Sequence, residues 1–414
     1  MDFSLSDEQQ QIKATAARVA REIVAPRAVE VDRTGEYPED YFAAFRDAGL
    51  LGLAIPREWG GSGAGTFGLA LAVEEMTKYC SSAGLMLLTT RLATACITMA
   101  GTEEQQERYV RGVAEGSRRG CFALTEPDAG SDAAAISTTA RREGDEYVIN
   151  GAKLWAGQAT VADYAIVVVK TDPDAGARGV SILIVDLPNS GFRIVRELPK
   201  MGVMGVPVVE IALENCRVPV SALVGAENRG FHTVMRHLNS VRPLVAARGV
   251  GLASGVTQYA VAYAKQRRTF GKPLMEHQGI AFPLAELAIE IEAARLLTYR
   301  AAWLVDQGED DREVAHYLSM AKAKASEVAV RAAEQGLQTL GGYGYLKDYP
   351  TERHYRDAKQ LTLVEGTSEI HRLIIARALN DGLLDWDFDL TAAGPLPRAE
   401  NDPAWSQSAA VLDR

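Results

Sequence analysis

Glu365 is the residue in this chain best set for proton abstraction. Leu361-Thr362-Leu363-Val364 precede it and Gly366-Thr367-Ser368-Glu369 follow. A carboxyl desolvated by apolar neighbours has a raised pKa and can work as a general base. A capping box from Thr362 to Glu365 is the competing assignment, but it would put Gly366 in the first helical turn. Thr367 and Ser368 make the better cap, so Glu365 is expected in the loop just before a helix. A second cluster runs from Cys121 through Phe122, Leu124, Thr125, Asp128 and Gly130 to Ser131 and Asp132, just after an apolar strand. Its hydroxyls and backbone N–H groups could hold a pyrophosphate, although a turn capped by Asp128 or Ser131 has the same composition. Gln338-Thr339-Leu340-Gly341-Gly342-Tyr343-Gly344-Tyr345 leads to Asp348, Arg353 and Arg356-Asp357. Such glycines end helices, and they also let a ligand or another chain approach the backbone. Arg267-Arg268-Thr269-Phe270-Gly271-Lys272 sets two guanidinium groups beside a turn, suited to phosphate or to an exposed helix end.

Other patterns carry no chemistry. Gly63-Ala64-Gly65-Thr66-Phe67-Gly68 satisfies G-x-G-x-x-G but follows Arg57-Glu58-Trp59-Gly60-Gly61 without a strand, so a flexible loop is expected and no dinucleotide fold. Cys80, Cys96, Cys121 and Cys216 form no C-x-x-C pair, and the six histidines show no ligand spacing, so no metal site is expected. His277 is expected to be structural, and no Ser/His/Asp set presents itself.

These residues need elements to position them. Residues 1–118 read as helical: a capping box at Ser6-Asp7-Glu8-Gln9, then Ile12, Ala16, Val19 and Ile23 at helical spacing until Pro26, with further runs at 68–77 and 103–116. From 121 to 226 the period becomes that of strands. Asn150-Gly151 is a hairpin turn signal, short β-rich runs follow at 164–169, 180–185 and 192–195, and Val209, Ile211 and Leu213 alternate with more polar residues. Close spacing without intervening helices predicts an antiparallel sheet or barrel. Helical periodicity returns over 251–266, 281–306 and 312–340, with a last helix from Ser368. The expected organisation is an α+β multidomain chain: an N-terminal helical domain (1–118), a middle antiparallel β-barrel-like domain (119–226), a C-terminal four-helix bundle (227–380) and an extension (381–414).

The 414 residues carry a net charge of −10 and are 47% hydrophobic. At roughly 150 residues per domain the length suggests about 2.8 domains. An acidic balance without a dense Lys/Arg stripe argues against nucleic acid or an anionic membrane as partner. No purely apolar run is long enough to span a bilayer, and the start shows no signal or transit pattern, so a cytoplasmic location is expected.

From about residue 3 to 380 the chain resembles the acyl-CoA dehydrogenase family. Ala123-Leu124-Thr125-Glu126-Pro127-Asp128-Ala129-Gly130-Ser131-Asp132 matches one family signature, and Gln338, Gly341, Gly342, Gly344 and Tyr345 with Asp348, Arg353 and Asp357 match a second. The resemblance implies FAD as cofactor, a helical–sheet–bundle fold and a homotetramer or dimer. It implies that Phe122, Leu124, Thr125, Gly130, Ser131, Trp155 and Gly157 adjoin the flavin. Arg267, Thr269, Phe270, Gln338 and Gly342 would hold the FAD of a neighbouring subunit, with Thr367 and Glu369 touching FAD again. Ser131, Asn239, Arg242, Val364 and Gly366 would lie along the substrate. Glu365 falls on the catalytic base, which removes the α-proton of an acyl thioester while the β-hydrogen leaves as hydride to flavin N5. The product is a trans-2-enoyl thioester, and an electron-transferring flavoprotein is the implied acceptor.

Three positions depart from the family pattern. Trp155-Ala156-Gly157-Gln158 lacks the hydroxyl residue that usually bonds flavin N5, so Gln158 or a water would have to replace it. Asn239 stands for a common Asp near the carrier group. Val364 replaces a frequent aromatic and leaves room for a branched, cyclic or functionalised acyl group. Val241 carries no acid, so the branch with its base on an earlier helix is excluded. The alternatives are a same-fold oxidase or monooxygenase using O2, a dehydrogenase of a carrier-protein-bound acyl group, and a non-catalytic scaffold.

Overall fold

The computed structural model describes residues 4–309, 312–384 and 386. Ser6 caps the first helix as a true capping box: Gln9 N–H donates to Ser6 Oγ (3.3 Å) while Ser6 N–H donates to Gln9 Oε1 (2.9 Å). Pro26 does not end the helix as expected. After α1 (Asp7–Val19) a π-type turn at Ala20–Val24 feeds directly into α2 (Ala25–Thr34). Pro26 then lies at the start of α2, immediately after that turn.

After α3 (Glu39–Asp47) comes α4 (Gly65–Thr77), and its beginning corrects the loop expected at Gly63–Gly68. Thr66 and Phe67 N–H donate to the two carboxylate oxygens of Asp306, at 2.6 and 2.8 Å. The helix N-terminus that a phosphate would need is therefore filled by a side chain of the same protein. Asp306→Ala strips that cap and is expected to cost about 1.5–3 kcal/mol in urea denaturation. No change in the unfolding midpoint would refute the assignment.

The sequence reading passed over α5 (Ser81–Ala100), whose apolar residues are interspersed with Thr, Ser and Gly. By length and composition it could cross a membrane, and 61% of its apolar window is buried inside the protein. Two short helical pieces, α6 (Glu103–Gln105) and α7 (Arg111–Ala114), flank another π-type turn before the sheet.

Seven strands form one curled sheet in the order β1-β4-β2-β3-β7-β6, with β5 on the other edge of β4. They are β1 (Gly120–Ala123), β2 (Thr139–Glu143), β3 (Glu146–Gly157), β4 (Tyr164–Lys170), β5 (Val180–Asp186), β6 (Phe192–Glu197) and β7 (Val208–Pro219). The sheet is mixed, not purely antiparallel, because β1 runs parallel to β4 from Gly120↔Tyr164 to Ala123↔Val167. The segment between β1 and β2 loops out instead of returning as a hairpin, which leaves that edge for β4.

Asn150-Gly151 is also not a turn. It lies inside β3 at a register shift against β7. Asn150 Oδ1 accepts from Asn215 N–H at 2.8 Å, and a Cβ on Gly151 would stand 2.5 Å from Thr138 Oγ1. Gly there serves a bulge and a close backbone approach. The β2–β3 hairpin closes instead at Gly144, with φ 63°.

The C-terminal helices begin with α8 (Gly230–Gln266), which starts well before 251 and runs through Pro243. A small hairpin, β8 (Arg268–Thr269) and β9 (Lys272–Pro273), leads to α9 (Gln278–Asp306) and α10 (Ala315–Leu340). α11 (Pro350–Leu361) was not anticipated, and α12 is Ser368–Asn380. Helices α8, α9 and α10 pack together through small residues such as Ala246, Ala294, Ala325 and Ala329. They share one apolar core with α4 and α5. Residues from Ala376 onward form a separate unit, and most of the extension expected at 381–414 lies outside the described residues.

Candidate active site

The base loop is a tight reversal between α11 and α12. Leu363 and Val364 N–H both donate to Gln360 O, at 2.9 and 3.1 Å, and Ser368 N–H returns to Thr362 O at 3.1 Å. Thr367 Oγ1 accepts from Ile370 N–H at 3.4 Å, as its capping role requires. Between these bonds Glu365 takes φ 53° and Gly366 φ 93°. A left-handed conformation is ordinary for glycine and strained for glutamate, and such strain gathers at functional sites.

Glu365 keeps some accessible surface as a residue, yet its carboxyl is enclosed by protein. Burial raises its pKa above the usual carboxylate value, and the charges of Lys322, Arg248 and Arg242 oppose the rise. All three cations are buried. Burial in turn brings Lys322 down to about 8 and both arginines down to about 10. Arg242 donates through Nη1 to Asn239 Oδ1 and to Ser319 Oγ (3.4 Å). Asn239 and Arg242 thus sit together inside the bundle, with the charge of Arg242 acting on the base.

The cluster after β1 is fixed by a buried ion pair. Lys153 Nζ donates to Glu126 Oε1 at 2.8 Å and to Leu124 O at 2.9 Å. Ser137 N–H and Oγ donate to Glu126 Oε2, and Thr138 N–H to Oε1. Burial alone would raise the Glu126 carboxyl, but the Lys153 charge and these hydrogen bonds outweigh it and hold the group down at about 2. Leu154 N–H donates to Thr125 O at 2.8 Å, which ties Thr125 to the strand carrying Trp155. Trp155 takes φ 65° and is 58% exposed. Phe122 packs on His237 with ring centroids 4.4 Å apart, while Gly130 and Ser131 are exposed.

A Cβ on Gly157 would meet nothing closer than Val206 Cγ1 at 4.0 Å, so open space borders this position. Gln158 does not fill it. Its Nε2 donates to Gly120 O at 2.8 Å and the side chain is buried, so it is unavailable as the substitute hydroxyl.

Arg267, Thr269, Gln338 and Gly342 line one cavity of about 520 Å³, together with Tyr263, Gly341 and Leu346. Phe270 stands at the hairpin tip beside it with φ 48° and is 97% exposed. His277 is structural, with Nε2 3.1 Å from Thr269 O. Thr367 is half-buried and Glu369 exposed at the start of α12. An exposed tryptophan on a strained strand, open space at Gly157, bare backbone at Gly130 and a cavity edged by guanidinium and glycine suit a flavin dinucleotide. The residues present fit that group.

Sequence reasoning missed Glu126 and Lys153 as a pair, and it missed Arg248 and Lys322. A signal existed for the last two. Arg248 interrupts the apolar run from Leu244 to Val250, and Lys322 lies on the stripe of Leu318, Ala321, Ala325 and Val328 that faces the core. A charge on a buried helical stripe marks a functional or paired position.

Comparison with known proteins agrees with this geometry. The acyl-CoA dehydrogenase N-terminal, middle and C-terminal domain models match residues 6–117, 121–216 and 228–380. A probable acyl-CoA dehydrogenase, YngJ of Bacillus subtilis, is 42% identical over 92% of this chain and 100% of its own length. The structure of butyryl-CoA dehydrogenase from Megasphaera elsdenii superposes with a TM-score of 0.89 at 36% identity, covering 92% of this chain and all of that one. The prolyl acyl carrier protein oxidase AnaB superposes with a TM-score of 0.87 at 27% identity, over 91% of this chain and all of that one. With its helical, sheet and bundle regions matched throughout, the chain belongs to the acyl-CoA dehydrogenase family of oxidoreductases.

Proposed function

We propose that the chain catalyses α,β-dehydrogenation of an acyl thioester, with Glu365 removing the α-proton. The observation that carries this reading is the enclosed Glu365 carboxyl, held on a left-handed turn and faced by three buried cations. Enclosure makes the group a stronger base than an exposed carboxylate, and the three cations oppose that rise in pKa and favour its ionised form. Val364 and Gly366 flank the base with small surfaces where the acyl group enters. Phe122, Leu124, Thr125, Trp155 and Gly157 bind the flavin end of FAD, and Arg267, Thr269, Gln338 and Gly342 hold the FAD of a neighbouring subunit. Bound FAD supplies a hydride acceptor for the β-hydrogen. An electron-transferring flavoprotein is the proposed acceptor of the electrons, and the acyl group arrives on CoA or on a carrier protein.

A second copy fits the exposed face of α9. Phe282, Ile289, Leu296 and Trp303 recur every seven residues along it, each more than half exposed. A heptad of large apolar residues facing solvent suits packing against another helix, and a homotetramer or dimer would cover it.

The test is the visible spectrum of the purified protein under anaerobic conditions, before and after a panel of acyl-CoA thioesters. A flavin spectrum that bleaches is expected, most strongly with branched or functionalised acyl groups. Best turnover on plain butyryl- to octanoyl-CoA would refute the preference, and a flavin bleached by no acyl-CoA and by no carrier-protein-bound acyl thioester would refute the dehydrogenase. One observation favours a second reading, oxidation with O2 as acceptor: the space beside Gly157 that Gln158 leaves open. Rapid reoxidation of the bleached protein in air would select it.

A further inference from the structure

Beyond the charge they place on the base, Arg248 and Lys322, both wholly buried, hydrogen-bond to Gln360 and Gly366 on either side of Glu365. Arg248 Nη2 donates to Gln360 Oε1 at 2.8 Å and to Ser81 Oγ at 3.1 Å, while its Nε and Nη1 have no hydrogen-bond partner among the described residues. Gln360 is the residue whose carbonyl receives the N–H groups of Leu363 and Val364, the last links before Glu365. On the other side of the base, Lys322 Nζ donates to Gly366 O at 2.6 Å. Glu365 therefore stands between two anchors, one set on α8 and one on α10, in a backbone conformation that glutamate does not favour on its own.

We propose that Arg248, through Gln360, and Lys322, through the Gly366 carbonyl, are positioning residues that clamp the base loop from both sides. The inference rests on reading Glu365 as the base, and it adds what holds that base in place. Left-handed backbone persists at a functional site only where the surroundings over-determine it, and two buried cations gripping the loop meet that condition. The same cations face the carboxyl, so the clamp also favours its ionised form. The other charged or titratable groups around this cluster are Arg242 on α8, Glu327 on α10, Asp357 on α11, Glu369 and His371 on α12, and Cys80 just before α5. Burial pushes His371 down to about 3, so its ring stays neutral across the working range and does not substitute for either cation.

Three variants separate positioning from mere support of the fold: Arg248→Met, Arg248→Lys and Gln360→Leu. Activity requires ionised Glu365, so losing a neighbouring cation moves the acid limb of kcat/KM to higher pH. Arg248→Met is expected to move it by roughly one pH unit, and Arg248→Lys to restore most of that shift. Gln360→Leu keeps every charge, and is expected to lower kcat roughly 10- to 100-fold with KM and the acid limb unchanged. If Arg248→Met does not fold, the other two variants decide. Wild-type kcat in Gln360→Leu would overturn the clamp. A thermal-denaturation cycle of Arg248→Lys with Glu365→Gln gives a readout without turnover, and non-additive melting shifts are expected. Additive shifts overturn the clamp whatever Glu365→Gln does to catalysis, whereas turnover surviving in Glu365→Gln overturns the base reading alone.

Discussion

Glu365→Gln is expected to lose thioester-dependent bleaching of the flavin by about 10²- to 10⁴-fold while retaining FAD. The amide nearly matches the carboxylate in size and can occupy the same left-handed turn, but it cannot take a proton from carbon. The wild-type profile carries the same information in its pH dependence. Burial raises the folded pKa of Glu365 above the usual carboxylate value, so kcat/KM should fall on the acid side at a pH above that of an exposed glutamate. The measurement is single-turnover bleaching of wild type and variant under anaerobic conditions, with flavin content read from the same spectra. A variant that bleaches at the wild-type rate would remove Glu365 from the mechanism. A variant that purifies without flavin would assign the residue to cofactor retention instead.

Lys153→Met should be the most damaging change outside the base loop. It leaves Glu126 enclosed without its cation, and breaking a buried pair from one side costs about 3–5 kcal/mol. The direction with pH follows from the carboxyl. In the native protein Glu126 titrates near 2, below its unfolded value, so its contribution is present above the ordinary carboxylate pKa and is lost as pH falls through about 2. In the variant the enclosed carboxyl has its pKa raised instead, so the folded state takes up a proton that the unfolded state does not. The stability deficit should then be widest near neutrality and narrow as the pH is lowered toward that range. Urea unfolding at several pH values measures it, and a deficit independent of pH would overturn this account. Flavin retention should fall in parallel, because Lys153 also holds Leu124 O and Leu154 ties down Thr125.

Much of this was legible in the residues. The order of helical, strand and helical periods was visible, and so was the loop position of Glu365, because Gly366 and Thr367 punctuate the chain in a way that only a cap explains. The misses have common physical causes. Pro26 and Asn150-Gly151 are local signals that a longer-range arrangement overrode, one by a π-type turn and the other by strand pairing across β7. Helix α5 was hidden because Thr, Ser and Gly interrupt the apolar residues of its buried face. Its four threonines, Thr89, Thr90, Thr94 and Thr98, all return their hydroxyls to the helix's own carbonyls. The parallel pairing of β1 with β4 depends on where the chain goes between them, which residue type does not record. Arg248 and Lys322 were passed over because charge in a helix is ordinarily solvated, and only packing shows which face is inward.

The carboxylate of Asp306 that caps α4 comes from a residue 240 positions further along the chain. A second tie of the same kind joins Arg295 Nε on α9 to Glu74 Oε1 on α4, at 3.0 Å. The first hundred residues can therefore form their helices early, but one of those helices cannot finish its own beginning until the end of α9 has been synthesised. Contacts this distant in sequence come late and slow folding, because a long loop must close before they repay its entropy. A nascent chain stopped within the sheet would hold α4 with its apolar face and its first turn both unanswered. The ribosome thus delivers the N-terminal helices as half of an interface, and the bundle that follows completes them.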